Sequence, residues 1–443
     1  MASSTPDKVR ELQRTLYRVA KADPGRHFHA LYDKVWRRDT LEQAWEQVRR
    51  NRGAAGIDQQ TITDIDQHGV DGLLDELAAD LKAGTYRVLP TRRVWIPKPG
   101  SDEQRPLSIP AVRDRIVQAA LKMVIEPVFE ADFLPSSFGF RPRRTPHDAL
   151  QVLIDEAWRG RRWVVETDIA SCFEAIPHDG LMQAIEERIT DRHILKLLRA
   201  LLRAGVMEDG AVRRQVTGTP QGGVISPLLA NIYLHRLDRE WERRGKGVLV
   251  RYADDLVVMC RTQQEAEGAL KMITVILSEL GLQPRADKTR IVHLTEGGEG
   301  FDFLGFHHKW VRGRGQHQHL CFLARWPSRK ATQHARDRIR ELTARPRLLL
   351  EVETVVEDIN RFLRGWAGYF RYGNSTRSFD KIRTYAVSRL ALFVAKRHKL
   401  PRTYGWKVVV HLSAHQLGLM NLNGRIVAPR PNRVWRNKPN AIR

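Results

Sequence analysis

The chain has 443 residues, enough for two or three domains, and its 42% apolar composition is sufficient for sizeable hydrophobic cores. The 74 Lys and Arg residues outnumber the 51 Asp and Glu by 23, which points to a polyanionic partner because phosphate neutralisation drives nucleic-acid binding. Three widely spaced cysteines exclude a disulfide framework. The polar N-terminus and the lack of a long apolar run predict a cytoplasmic protein with no membrane partner, and a bacterial origin is also expected.

The first part of the chain is predicted to be mostly helical. From Asp7 to Leu81 the pattern is helical and polar, interrupted by the turn-rich NRGAAGID segment at Asn51–Asp58. RRVWIPKPG and RPLSIP, separated by SDEQ, predict two strands joined by a turn. Residues 111–131 predict a helix because apolar side chains recur at helical spacing, at Ile116, Ala119, Ala120, Met123 and Val124.

The middle of the chain places acidic residues at strand ends. WVVETDIA, rich in β-branched residues, predicts a strand that leads into Asp168. VLVRYADDLVVMC predicts a β-hairpin with Asp254 and Asp255 at its turn. A helix is expected to begin at Thr262, which forms a capping box with Glu265, and Gly281 stands where its C-terminal cap belongs.

The last third is predicted to be helical and basic. Ile339 and Leu342 mark a short helix, and a second, strongly amphipathic helix carries Val352, Val355, Val356, Ile359, Phe362, Leu363 and Trp366. From Lys381 to Arg443 the chain contains 14 Lys or Arg and no Asp or Glu. Because a solvated face normally mixes both signs of charge, this tract is predicted to face phosphates.

Asp168, Asp254 and Asp255 are candidate ligands of two Mg²⁺ ions. Synthesis of a phosphodiester from a nucleoside triphosphate uses two divalent cations, and Mg²⁺ prefers hard oxygen ligands. Three carboxylates would converge if the Asp168 strand and the hairpin were neighbours in one sheet. Taken alone, an Asp-Asp turn is more often a solvated turn, so the neighbouring motifs decide between the two interpretations.

Read in order, the motifs resemble those of the reverse transcriptases encoded by group II introns. YADD at Tyr252–Asp255 resembles the YxDD box, and TDIASCFEAIPH at Thr167–His178 resembles the first palm motif. GTPQGGVISPLLANIYLHRLD matches the family pattern nearly residue for residue, and INRFLRGWAGYF at Ile359–Phe370 resembles the maturase segment called domain X. The resemblance runs from about Leu31 to Leu422 and also includes IPKPGSDEQRPLSIP, SSFGFRPRRTPHDAL, DKT, FDFLGF and NRGAAGID.

The resemblance implies an α+β right-hand polymerase. Residues 1–85 would form an N-terminal extension and the start of the fingers, 86–310 the fingers and an antiparallel palm, and 311–443 a helical thumb with a basic domain X. It also implies roles for individual residues. The metal ligands would be Asp168, Asp254 and Asp255; the incoming nucleotide would meet Lys98, Arg105, Phe173, Gln221 and Lys288; and primer or other nucleic acid would meet Tyr252, Gly305, Lys396, Arg397 and Lys399.

The chain departs from the family pattern at a few positions. Cys172 and Glu174 stand where Phe and Asp are usual, Gln59 stands where a Gly is expected, and the fingers turn is one residue longer. The endonuclease region of many relatives is expected to be absent, because its cysteine pairs are missing. The histidines near Cys321 fit no familiar zinc spacing, so HHKW and QHQH are predicted to be surface residues of a β-hairpin.

The function implied is RNA-directed DNA polymerisation with Mg²⁺, on an RNA template with a DNA or RNA primer and dNTPs. The protein would also bind a group II intron RNA and help it fold for splicing. Two alternatives stay open: a protein that is mainly an RNA-binding maturase, which would not need the intact aspartates, and a reverse transcriptase that serves the host in defence or repair. The genomic neighbourhood would separate the second alternative from an intron-borne enzyme.

Overall fold

The structure is a computed structural model that describes residues 5–97, 104–208, 211–213, 217–218, 222–313, 315–413, 416–422 and 424–432. Lys98, the SDEQ turn up to Glu103, and Gln221 lie outside the described residues. None of the helices in these described ranges is both long and apolar enough to cross a membrane.

Helices and strands alternate along most of the described chain. The helices are α1 Thr5–Ala22, α2 Tyr32–Val35, α3 Arg38–Asn51, α4 Ile62–His68, α5 Val70–Ala83, α6 Val112–Glu130, α7 Pro146–Trp158, α8 Cys172–Ala175, α9 His178–Glu186, α10 Arg192–Arg203, α11 Ser226–Arg244, α12 Gln263–Glu279, α13 Arg329–Leu342, α14 Val352–Phe370, α15 Thr376–Arg397 and α16 Arg402–Trp406. The strands are β1 Thr91–Pro97, β2 Gln104–Ile109, β3 Trp163–Asp168, β4 Val206–Glu208, β5 Ala211–Arg213, β6 Val248–Tyr252, β7 Asp255–Cys260, β8 Arg290–His293, β9 Phe301–Phe303, β10 Phe306–Arg312 and β11 Cys321–Pro327.

The predicted fingers hairpin and the helix that follows it are confirmed. β1 and β2 pair antiparallel with Ile96 opposite Arg105, and β4 adds to β1 in parallel. The predicted helix at 111–131 is α6, which is buried along most of its length and packs against the N-terminal helices α1, α2, α3 and α5 and against α11. The strand–turn–strand pattern and the helical spacing therefore located both elements correctly.

A four-stranded palm sheet, in the order β6-β7-β3-β8, separates two hydrophobic cores. Successive side chains of a strand point to opposite faces, so each strand contributes to both cores. On β7, for example, Leu256 and Val258 lie in the core shared with α6, α9, α11 and α12, whereas Val257 and Met259 lie in the core shared with α7, α14 and α15. The sheet thus joins the N-terminal and C-terminal parts, as the expected α+β architecture requires.

The helix after the hairpin begins as predicted, with one difference at its cap. The Thr262 hydroxyl accepts a hydrogen bond from the Glu265 N–H at 3.1 Å, and Gly281 has the positive φ of 68° expected beyond a helix end. The Glu265 carboxylate, however, accepts from the N–H of Arg261 at 2.9 Å. In a capping box, the Glu265 carboxylate would accept from the N–H of Thr262. Here it accepts from the residue before the cap, Arg261.

The C-terminal part shares a hydrophobic core with the palm sheet and also contacts helix α7 of the palm through hydrogen bonds. After β8, the chain forms a separate three-stranded sheet in the order β11-β10-β9. The two helices predicted for the last third of the chain are α13 and α14. Beyond α16, the chain returns to helix α7 of the palm. There Gln151 donates to the carbonyl of Arg430 at 2.8 Å, and Asp155 accepts from the backbone N–H of Asn432 at 2.7 Å. This returning segment, residues 424–432, is called the C-terminal strap.

The prediction that HHKW lies on the surface is wrong for His308. β10 and β11 do form the expected hairpin, but His308 is fully buried, and its ring is stacked on Phe301 with 4.8 Å between centroids. The strand alternation explains the error, because His308 shares its face with the core residues Phe306 and Trp310. Neither ring nitrogen has a hydrogen-bond partner among the described residues, and burial, followed by the charge of Arg325, holds the pKa of His308 well below its usual value.

Acid should therefore destabilise the protein through His308. The unfolded chain binds a proton at this residue below about pH 6.5 whereas the folded chain does not, so stability falls as the pH falls below that value, by up to about 1.4 kcal/mol per pH unit. We expect thermal unfolding of a His308→Phe variant to show a shallower loss of Tm between pH 6.5 and pH 5 than wild type. His319→Gln, at an exposed position, is the control. Parallel pH profiles for wild type and His308→Phe would contradict the prediction.

Candidate active site

The sheet register brings the predicted acidic residues together. Asp168, the last residue of β3, lies directly opposite Asp255, the first residue of β7. The hairpin between β6 and β7 closes with Tyr252 opposite Asp255, so Asp254 occupies the turn beside them. The carbonyl of Asp254 accepts a hydrogen bond from the N–H of Ile169 at 3.2 Å, which fixes this turn against the end of β3.

The hairpin turn is held from behind by the segment around Gly139. Ala253 has a positive φ of 57°, a left-handed conformation that an alanine adopts only when its surroundings impose it. A side chain at Gly139 would place its Cβ 2.4 Å from the backbone nitrogen of Ala253. Next to it, the N–H of Phe138 donates to the carbonyl of Arg251 at 2.9 Å. Gly139 therefore permits the close backbone contact that supports the acidic turn.

Arg251, immediately before the YADD motif, is fully buried and bound on all sides. Its guanidinium forms two hydrogen bonds with the Asp238 carboxylate, at 2.7 and 2.5 Å, and both side chains are fully buried. Further bonds reach Asn231 at 3.0 Å and Ser137 at 2.7 Å, and the carbonyl of Ala253 at 3.1 Å. This network connects α11, the segment before α7 and the acidic turn through one cation.

The carboxylates of the site repel one another. Burial, and then the charges of Asp254 and Asp168, raise the pKa of Asp255 to about 7. Burial, and then the charge of Asp168, also raise the pKa of Asp254, while the cations Lys288 and Arg105 oppose that shift. A group of buried, mutually repelling carboxylates is stabilised by a cation, which is the electrostatic environment that a metal ion would relieve.

Lys288 is the nearest side-chain cation to Asp168. Its ammonium forms an ion pair with Oδ2 of Asp168, which the resemblance to the sixth motif did not predict. The 3-10 turn that carries Lys288, residues Ala286–Lys288, is anchored on β3 because the N–H of Arg285 donates to the carbonyl of Asp168 at 2.7 Å. The hydroxyls of Thr167 and Thr289 also meet at 2.7 Å.

The donor set fits a hard divalent cation in chemical type. In the described ranges, no group of three or more His, Cys, Asp or Glu side chains is arranged to hold a metal ion. Mg²⁺ nevertheless keeps several of its waters and usually takes only one or two carboxylates together with substrate phosphates. Oxygen donors from Asp168 and the hairpin match that requirement, and one oxygen of Asp168 is occupied by Lys288.

The other predicted site residues that the structure describes differ in their exposure and in the residues that they contact. Arg105 is exposed on β2, and its charge acts on Asp254. Phe173 is partly buried in α8 and packs against the core on the α6 side. Tyr252 is partly buried and lies 6.5 Å from the exposed ring of Phe140. Gly305, with a φ of 78°, is in the turn between β9 and β10, where a Cβ would lie 3.5 Å from Phe370 of α14.

The three basic residues chosen from the acid-free tail differ in their surroundings. Lys396 and Lys399 are exposed. Arg397 donates to the carbonyl oxygens of Leu348 and Leu350 and forms an ion pair of 2.9 Å with Glu351, so it is bound within the protein. The exposed lysines remain candidates for phosphate contacts, while Arg397 has a structural role between α15 and the start of α14.

A basic groove opens next to the aspartates. A small cavity of about 60 Å³ lies between Asp168, Asp255 and Asp302, and Asp302 also lines a larger groove of about 530 Å³. The groove carries four cations, none of which forms an ion pair with a described carboxylate, and an aromatic ring: Lys309, Arg329, Arg336, Lys381 and Trp326. We call this surface the basic groove.

The palm sheet, the fingers hairpin and the acidic turn define a right-hand nucleic-acid polymerase. Comparison with known proteins agrees. Residues 96–308 match the family described as reverse transcriptase (RNA-dependent DNA polymerase), and residues 332–409 match the group II intron, maturase-specific domain.

Similar proteins include protein YkfC of Escherichia coli strain K12, which is 34% identical over 367 residues, covering 74% of this chain and 94% of YkfC. The group II intron-encoded protein LtrA of Lactococcus lactis is 38% identical over 214 residues, covering 48% of this chain and 35% of LtrA. The chain belongs to the group II intron-encoded reverse transcriptase and maturase family. It is an RNA-directed DNA polymerase, and its family implies nucleic-acid partners and dependence on a divalent metal ion.

Two supporting residues escaped the sequence interpretation, Arg251 and Gly139. Arg251 carried a signal, because it is two residues from Leu249 and therefore on the face of β6 that packs into the core. A charge at such a position requires a buried partner, although the sequence does not say which. Gly139 carried no comparable signal, since its role depends on how closely two distant segments approach.

Asp238→Asn should strongly destabilise the protein. The substitution leaves the Arg251 charge buried without its counter-charge, a situation that costs about 3–5 kcal/mol. Glu240→Gln is a matched control on the same helix, because its carboxylate pairs at the surface with the exposed Arg243 and the partly exposed Arg244, and its loss should change stability little. Denaturant unfolding of both variants measures the difference. Equal losses would show that the buried pair has no special role.

Proposed function

We propose that this protein extends a primer along an RNA template at two Mg²⁺ ions held by Asp168, Asp254 and Asp255, and that its C-terminal helices bind a group II intron RNA and assist its splicing. The observation that carries the catalytic part is the register of β3 and β7, which places Asp168 opposite Asp255 and beside the Asp254 turn. The maturase-specific match over residues 332–409 supports the RNA-binding part.

Each side chain of the site has a definite task in this proposal. When bound, the two ions activate the primer 3′-hydroxyl and neutralise the triphosphate. Asp168 and Asp254 would hold the ions, and Asp255 would be a weaker third ligand. Arg105 of β2, together with Lys98 as the family pattern implies, binds the triphosphate of an incoming dNTP, for which the planar guanidinium of arginine is suited.

The remaining residues select and position the substrates. Phe173 excludes a ribose 2′-hydroxyl by packing under the sugar, and Gln221 lines the nucleotide pocket; both assignments follow the family pattern. Tyr252 and Gly305 border the primer end, since Tyr252 adjoins the acidic turn and Gly305 adjoins the strands that carry Asp302 and the basic groove.

Asp254→Asn should abolish primer extension on an RNA template. Loss of a metal ligand leaves the developing charge unshielded, which corresponds to a rate loss of about 100-fold or more. Asp179→Asn, an exposed carboxylate on α9, is the matched control and should retain the wild-type rate. Single-turnover extension, with thermal unfolding to confirm folding, tests the assignment. A near-normal rate for folded Asp254→Asn would remove this residue from the metal site.

The basic groove and the exposed tail lysines are proposed to serve different nucleic acids. The groove shares Asp302 with the cavity at the aspartates, so its unpaired cations are placed to contact the phosphates of a primer–template duplex leaving the site. Lys396 and Lys399 lie at the end of α15, in the maturase-specific region, which suits contacts with structured intron RNA.

Two double variants separate these surfaces. Lys309→Gln with Lys381→Gln should weaken primer–template binding and make its salt dependence shallower, by roughly 0.7–0.9 in slope per lost contact. Lys396→Gln with Lys399→Gln should instead weaken binding of a group II intron transcript. Lys196→Gln with Lys271→Gln removes the same charge at exposed positions on α10 and α12 and should change neither. Equal losses for all three variants would mean that net charge alone determines affinity.

A further inference from the structure

The Lys288 side chain enters the acidic site from the solvent side. Half of the Lys288 side chain is exposed, whereas the Asp168 carboxylate that it contacts is only 10% exposed. The backbone of its turn is fixed on β3 by the bond from Arg285 to Asp168 and by the Thr167–Thr289 contact. Rotation of one exposed, flexible side chain is therefore enough to open the ion pair without moving the sheet.

The pair occupies an oxygen that a metal ion would need. Asp168 Oδ2 accepts from the Lys288 ammonium, and the neighbouring Asp254 and Asp255 lie close enough for the charge of Asp168 to raise the pKa of both. A divalent cation on Asp168 and an ammonium on the same carboxylate repel each other across a few ångströms of partly buried space. The two cations therefore compete for one position.

We propose that Lys288 is a resident counter-ion of the catalytic site, which neutralises Asp168 until a divalent metal ion displaces it. Once displaced, the ammonium turns toward the solvent side of the site and becomes available to the phosphates of the incoming nucleotide. Metal binding and nucleotide binding are coupled through this exchange. The inference rests on the proposed function, because it takes Asp168 as a metal ligand.

If Lys288 competes with the metal ion, its removal has the opposite effect on metal affinity to the removal of a residue that only supports Asp168. Removing a competitor strengthens metal binding, whereas removing a residue that only orients Asp168 would weaken it. In the metal-free protein, loss of Lys288 also leaves the three carboxylates without their nearest cation, so the fold becomes less stable. A saturating metal ion restores the missing positive charge and should remove that difference in stability.

Mn²⁺ binding in the absence of nucleotide and nucleic acid tests the proposal. Because half of the Lys288 side chain is exposed, the expected effect is modest: Lys288→Met should bind Mn²⁺ roughly three- to tenfold more tightly than wild type, as followed by electron paramagnetic resonance of free Mn²⁺. Lys288→Arg retains the charge and should remain near the wild-type affinity. Lys271→Met, at an exposed position on α12, is the control for loss of a lysine elsewhere.

Thermal unfolding of the same variants gives a second readout. Lys288→Met should have a lower Tm than wild type in chelator, and the difference should close in saturating Mn²⁺. Unchanged or weaker Mn²⁺ binding by Lys288→Met would overturn the counter-ion exchange. If Asp168→Asn binds Mn²⁺ as tightly as wild type, the metal site itself is misassigned, so failure of the proposed function is distinguished from failure of the exchange.

Discussion

The acidic turn depends on a buried ion pair between Arg251 of β6 and Asp238 of α11. Burying a charge is expensive unless a partner and further hydrogen bonds compensate for the lost water, and here the guanidinium is bound by a carboxylate, an amide, a hydroxyl and a carbonyl. One of those acceptors is the carbonyl of Ala253, inside the YADD turn. The turn that presents Asp254 is therefore held by a polar network on its buried side, and the network does not use the side chains of Asp254 and Asp255.

The palm sheet, which carries Arg251 and the acidic turn, packs against helices from both halves of the molecule. One face of β7 packs with the helices of the fingers and palm, and the other packs with α7 and the maturase-specific helices. The acidic turn lies at the end of that sheet, so the position of the carboxylates depends on packing from both sides. A site made of repelling groups requires such rigid support, because nothing within the carboxylate cluster itself favours its geometry.

The sequence was informative wherever a local rule determined the structure. The residue pattern before Asp168 predicts strand β3, and the YADD segment predicts the hairpin that contains β7. Thr262 predicts the start of α12. The sequence was less informative where the outcome depends on a partner distant in sequence. The motif around Lys288 predicts a place near the nucleotide but not the ion pair with Asp168, and no local pattern identifies Asp238 as the partner of Arg251. His308 shows a third case, since polarity predicted exposure while strand alternation, which governs the core, placed it inside.

The C-terminal strap gives the thumb region a second attachment to the palm. The chain enters the region through β8 and β9 and, after α16, comes back to α7 at Arg430 and Asn432. The helices α13 to α15 already share a hydrophobic core with the palm sheet, so the strap adds hydrogen bonds that would also have to break before these helices could separate from α7.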